Sequence, residues 1–164
     1  MNKLDEIVSS PLKPKEKLVK LSRALLEDKT LIPSVIERYV SAKDSDKGMW
    51  METLELVSEQ EPKMIMPQLE FVISQINHKA PRVRWESARL IANIAKDYPD
   101  KAAEAIPALL KNTADPGTVV RWSAARARVS GSGVWPRSPR CRRRNSRQTA
   151  SRTGTWKRQG TSSG

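Results

Sequence analysis

A seven-residue segment recurs in this chain almost unchanged, as Val83-Arg84-Trp85-Glu86-Ser87-Ala88-Arg89 and as Val120-Arg121-Trp122-Ser123-Ala124-Ala125-Arg126, offset by 37 positions. This spacing constrains the fold more than any other feature. A unit of that size cannot bury its own apolar face, so it must stack on further copies of itself. A second signature precedes the first: Ile32-Pro33-Ser34-Val35-Ile36, Met66-Pro67-Gln68-Leu69 and Ile106-Pro107-Ala108-Leu109-Leu110 each place Pro early in a helix. Proline is tolerated there because the first turn has no use for its missing N–H. Elsewhere apolar residues return every three or four positions, the period of a helix. Helices are expected over residues 2–9, 14–28, 31–43, 45–61, 62–78, 81–98 and 99–113, with another opening near Gly117. Ser45, Asp100 and Asp115 are expected to cap helices or form turns. The chain has no Asn-Gly hairpin turn and no sustained period-2 alternation, so no strand is expected.

The order Ile106-Pro107-Ala108-Leu109-Leu110, Asp115, Val120-Arg121, Ala124-Ala125 resembles the HEAT repeat, with Pro in an outer helix, Asp in the turn, and Val-Arg and Ala-Ala in an inner helix. The copy at 62–98 keeps Pro67, Val83-Arg84 and Ala88 but has Asn77 where Asp is expected. The copy at 31–61 keeps Pro33 and Asp44 and lacks Val-Arg. The resemblance covers roughly residues 31–127. It implies an all-α fold, a short α-solenoid of HEAT-like helical hairpins over residues 1–127. It says little about function, because the family is defined by packing and not by a site.

Turning about 100° per residue from Val83 gathers Ser87, Leu90, Ile91, Ile94 and Tyr98 on one side of the inner helix, continued by Ala88, Ala92 and Ala95. Trp85 falls at the edge of that arc. Glu86, Arg89, Asn93 and Lys96 fill the opposite sector, which is expected to face the concave surface of the stack. In the preceding repeat, setting Met49 at the Val83 position leaves Glu52, Glu55 and Glu59 as the exposed row and puts Trp50 where Arg84 and Arg121 stand. Trp122 and Arg126 extend the same surface in the third repeat. Trp85 and Trp122 are expected to pack between repeats. Arg84 and Arg121 are expected to bond turn carboxylates or carbonyls of adjacent repeats, and His78 to sit at a helix end. The expected binding residues are therefore Glu52, Glu55, Glu59, Trp85, Glu86, Arg89, Asn93, Lys96, Trp122 and Arg126, and the Glu row suits a basic peptide.

The net charge of +12 would by itself point to nucleic acid or an anionic surface. It is not evenly spread: residues 1–126 hold 20 basic and 18 acidic side chains, whereas residues 127–164 hold 10 basic and no acidic ones. Residues 128–164 also lack Leu, Ile, Met, Phe and Tyr, so they are expected to form a disordered basic tail. Arginine replaces lysine abruptly at that boundary, in the middle of an expected helix, which points to translation out of frame. The competing reading is a native basic arm for nucleic acid or membrane.

One His and one Cys, Cys141, leave no material for a nucleophilic triad, a disulfide framework or a His/Cys metal site. Five of the seven Gly lie in the tail, so no glycine-rich phosphate loop is expected. No cofactor is expected, nor is a membrane span or an apolar leader. The expected function is a non-enzymatic protein-interaction scaffold in the cytoplasm, with a protein or peptide partner. The alternative is nucleic-acid binding, either in the manner of the HEAT-like alkylpurine DNA glycosylases or through the tail. The first of these needs a basic groove, which the nearly neutral 1–126 segment does not supply.

Overall fold

The computed structural model describes residues 3–112, 114, 116 and 117, all of which lie on the N-terminal side of a division of the chain at Val134. Among them every regular element is helical: α1 Lys3–Ser9, α2 Pro14–Glu27, α3 Ile32–Ser41, α4 Asp44–Gln60, α5 Pro62–Ile65, α6 Leu69–Gln75, α7 Pro81–Ile94, α8 Pro99–Ala103 and α9 Ile106–Asn112. Short 3-10 turns, Lys29–Leu31 and Met66–Gln68, precede α3 and α6. The helix expected near Gly117, its cap Asp115, the copy Val120–Arg126 with Trp122 and Arg126, and the tail at 128–164 fall outside the described residues.

Local chemistry sets the boundaries. Helix α2 opens at Pro14 behind an extended Lys13, whose backbone N–H donates to the Glu16 carboxylate (3.2 Å), one half of a capping box. It closes at Asp28, whose side chain accepts from the Thr30 N–H (2.9 Å) and hydroxyl (2.6 Å). Helices α5, α7 and α8 also begin at Pro, which disfavours helix in the residue before it and so terminates the preceding element. Two expected caps are corrected here. Lys43, not Ser45, occupies the N-cap of α4, and Tyr98, not Asp100, that of α8; Asp44 and Asp100 lie inside the first turns, where their charge favours the helix dipole. Two expected helices are also broken. The ring of Pro67 obstructs continuation from α5 and inserts the Met66–Gln68 turn, and Ile106-Pro107 restarts α9 after α8 has ended. With Ile32-Pro33 at the start of α3, every X-Pro signature lies at or just before the start of a helix.

Helix α4 is central: it packs most extensively on α7, then on α2, with α3 and α5 also against it. A continuous apolar core runs through the described residues, with Leu21 and Leu25 from α2, Met51, Leu54 and Val57 from α4, and Leu90, Ile91 and Ile94 from α7. Helices α1, α3, α6 and α9 are tied together by a separate series of polar contacts. Arg38 Nη2 meets Asp5 at 2.8 Å, Tyr39 donates to Gln75 Oε1 at 2.7 Å, and Asn112 Nδ2 donates to the Ile76 carbonyl at 2.5 Å. These ties span 33, 36 and 36 residues, so the sequence repeat is also a repeat of contacts. Tyr39 stands edge-on to Phe71, with centroids 5.2 Å apart, and burial first, with Asp44 second, pushes its phenol up to about 12.

The expected register of α4 is corrected. Trp50, Met51, Leu54 and Val57 are buried, whereas Met49 and Leu56 are only partly so. At about 100° per residue the buried arc of α4 covers roughly 220°. An arc that wide follows from α4 being held between two neighbours, α2 and α7.

Candidate functional site

The polar residues expected on the concave surface converge on the α4–α7 seam, and several of them are inside it. Glu55, Glu86 and Asn93 are each only 2% exposed. Arg89 joins the two carboxylates: Nη2 lies 3.0 Å from Glu55 Oε1 and Nη1 lies 3.1 Å from Glu86 Oε2. The Asn93 amide donates to Glu55 Oε1 and to Ser58 Oγ, both at 3.1 Å, and Lys96 Nζ donates to Asn93 Oδ1 at 3.2 Å. Glu55, Glu86 and Asn93 are therefore corrected from surface residues to seam residues. The helical wheel identified the polar flank correctly, but a wheel does not say whether a neighbour covers that flank. Here each helix lays its polar flank on the other, and burial is offset where the groups hydrogen-bond one another.

The seam is not uniformly closed. Glu59 and Lys96 are exposed, while Glu52, Trp85 and Arg89 are half-buried. Glu52 is ion-paired with Arg82, and the Arg89 guanidinium lies 6.0 Å from the Trp85 ring centroid. Trp85 is thus partly open at the rim, not enclosed between helices. The Glu52, Glu55 and Glu59 row is not an open acidic strip either, since the first is paired and the second buried, leaving Glu59 alone at the surface. Trp122 and Arg126 lie outside the described residues.

Gly48 escapes sequence reasoning. A Cβ built there would sit 2.5 Å from Arg82 Cδ and 2.9 Å from its Cγ, so the glycine is a notch across which the Arg82 stem passes to reach Glu52. The signal was present, because glycine inside a helix costs about 1 kcal/mol relative to alanine and usually has a packing reason. Trp50 and Arg84 also part company. Trp50 is buried beside Ala42 and Arg38, lining a cavity of about 250 Å³ with Asp5 and Val8. Arg84 Nη1 donates to the carbonyls of His78 (2.9 Å) and Lys79 (3.0 Å), so these bonds go to the turn of its own repeat and not to the adjacent repeat that was expected.

Burial is the first cause that raises the Glu86 carboxyl, to about 7; Arg89 opposes it, and Glu52 and Glu55 add to it. At the opposite end of α4, His78 Nδ1 accepts the Ala80 N–H (3.0 Å), and its Nε2 lies 3.7 Å from Asp44. Burial lowers the His78 pKa, with Asp44 opposing, so the neutral acceptor form is the one the turn prefers. Lys79 Nζ meets Asp44 Oδ2 at 2.6 Å and holds that carboxyl below its ordinary range. Among the described residues no three His, Cys, Asp or Glu side chains are grouped to hold a metal ion, and no helix is long and apolar enough to cross a membrane. Comparison with protein-family models, with curated proteins and with solved structures gave no match.

Proposed function

We propose that the chain is a short HEAT-like α-solenoid acting as a non-enzymatic protein-interaction module, with the partly open rim of the α4–α7 seam as its binding surface. The observation that carries the reading is the recurrence of contacts at the period of the sequence repeat, Arg38 to Asp5, Tyr39 to Gln75 and Asn93 to Ser58. Stacked hairpins whose ties recur in this way present one continuous face, and such faces serve recognition. Within that face Trp85 and Arg89 are the residue types that anchor interfaces, and Glu52, Glu59 and Lys96 form a charged border around them. Of the polar groups that would otherwise suggest proton chemistry, Glu55 is engaged with Arg89 across the α4–α7 seam and Glu86 is engaged with the same guanidinium along α7.

The test is site-specific photo-crosslinking in cells, with the reactive side chain placed at Glu59 or Lys96 and, as control, at the exposed outer position Val40. Discrete protein adducts from the two rim positions and none from Val40 are expected. Equal or absent adducts from all three would remove the rim as the interaction surface.

A further inference from the structure

Helix α2 is flanked differently from α4 and α7. It packs chiefly on α4 and α1, with the Lys29–Leu31 turn at its end, and it keeps an exposed flank. That flank is a groove of about 500 Å³ lined by Lys13, Lys15, Glu16, Val19, Lys20 and Arg23, all exposed, with Val19 48% exposed at its centre. Among the described residues Lys13, Lys15, Lys20 and Arg23 enter no ion pair, while Glu16 turns back to the helix start and Glu27 is taken by Lys3. A fifth cation, Lys17, is also spent, since its Nζ donates to the Val8 carbonyl at 2.5 Å and clamps α1. Four unpaired cations thus ring one protruding apolar side chain on a surface about 15 Å long, taking 1.5 Å of rise per helical residue.

We propose that this face of α2 docks an acidic protein segment carrying one apolar anchor, with its carboxylates on Lys15, Lys20 and Arg23 and the anchor against Val19. The chemistry separates this occupant from the other polyanions. A bilayer surface demands a broad apolar stripe, and here Leu18, Leu21 and Leu25 are buried in the core and only Val19 projects. Single-strand-binding faces interleave cations with stacking aromatics, and α2 carries none, while a duplex would take the cations on its phosphates and leave Val19 without an apolar partner. Four cations around one aliphatic side chain match alternating carboxylates around one aliphatic residue, which gives both steering and register. The site lies on a different helix from the α4–α7 rim and stands or falls independently of it.

The experiment is fluorescence anisotropy of the full chain with a short labelled Glu/Asp peptide bearing a central Leu, and with its Leu→Ser twin. Combining Lys15→Glu, Lys20→Glu and Arg23→Glu should weaken the Leu peptide at least about tenfold, although the arginine-rich segment 140–144 is present in both proteins. Val19→Ser should weaken the Leu peptide about threefold and leave the Leu→Ser peptide unaffected, which general attraction to a basic chain does not predict. The Lys15→Gln, Lys20→Gln and Arg23→Gln set, with unchanged far-ultraviolet circular dichroism, guards against a folding defect and should weaken binding in the same direction. Unchanged affinity in the charge variants, or equal Val19 effects on both peptides, overturns the proposal. So does tighter binding of phosphatidylserine vesicles or a short DNA duplex that the same reversals abolish.

Discussion

Replacing Glu86 by glutamine should stabilise the protein above neutral pH and leave it unchanged in acid. Glu86 is enclosed at the α4–α7 seam, and its carboxyl is raised from 4.5 to about 7. The folded state therefore holds a proton on Glu86 that the unfolded chain releases between those two values. Because the native state binds more protons in that window, stability falls as pH rises from about 4.5 to 7, then stays level. At about 1.36 kcal/mol per tenfold change in proton affinity, the full effect has a ceiling near 3 kcal/mol, and about 2–3 kcal/mol is the expected gain for Glu86→Gln at about pH 8. Glutamine keeps the oxygen that accepts from Arg89 Nη1, and Arg89 keeps its second carboxylate, Glu55. The assay is urea unfolding of both proteins across the pH range, read as the difference between them so that other carboxylates cancel. A difference that does not change with pH, or a variant less stable than the parent at about pH 8, would refute the argument that burial dominates at this position.

Asn93→Ala should cost about 2–3 kcal/mol, since it strips one donor from both Glu55 and Ser58 inside the seam; urea unfolding at neutral pH measures it. Gly48→Ala should change stability by less than about 1 kcal/mol, because the helix-propensity gain offsets the exposed Arg82–Glu52 pair that the new Cβ displaces. A double-mutant cycle between Arg82 and Glu52 should lose its coupling in that background. Trp85→Ala should cost about 1–2 kcal/mol, below the 3–5 kcal/mol of an enclosed tryptophan, since the ring is partly exposed and covered on one side by Arg89. His78→Gln should remove a loss of stability that sets in as pH falls below about 6.5.

The helical fold was legible because most elements announce themselves twice, by the period of their apolar residues and by a proline at their start, α4 being an exception that period alone reveals. Pro14, Pro62, Pro81 and Pro99 open helices where the sequence places them. What escaped is tertiary. Pro67 reads as a helix residue near its start until the turn it forces is seen, because α5 is already under way when it arrives. The site was half legible: the wheel put Glu86, Arg89, Asn93 and Lys96 on one flank, and the structure keeps them together on α7. Their enclosure was not legible, because it depends on α4 bringing Glu55 and Ser58 to meet Asn93 from 38 and 35 positions away. The basic face of α2 was hidden by arithmetic of another kind. Its four unpaired cations are balanced by acidic residues elsewhere in the near-neutral 1–126 segment, so only their placement on one side of one helix distinguishes them.

Glu86 and His78 give the pH profile of the intact protein a particular form. The two groups respond in opposite directions, though burial is the first cause in both, because burial disfavours charge whichever sign it carries. For Glu86 the neutral state is the protonated one, so its contribution declines as pH rises through the interval from 4.5 to about 7. For His78 the neutral state is the deprotonated one, in which Nδ1 accepts the Ala80 N–H, so its contribution declines as pH falls below 6.5. The windows overlap on the acid side of neutrality, and there the two slopes oppose each other. A flat stability profile in the parent would consequently be no sign that either group is unperturbed. Glu86→Gln should uncover the His78 slope, His78→Gln should uncover the Glu86 slope, and the double variant should return to flatness. The turn at His78 holds the start of α7 against Asp44 at the start of α4, and Glu86 acts farther along the same pair of helices. Both effects therefore act on the α4–α7 pair, and their sum fixes how firmly that seam holds as pH changes.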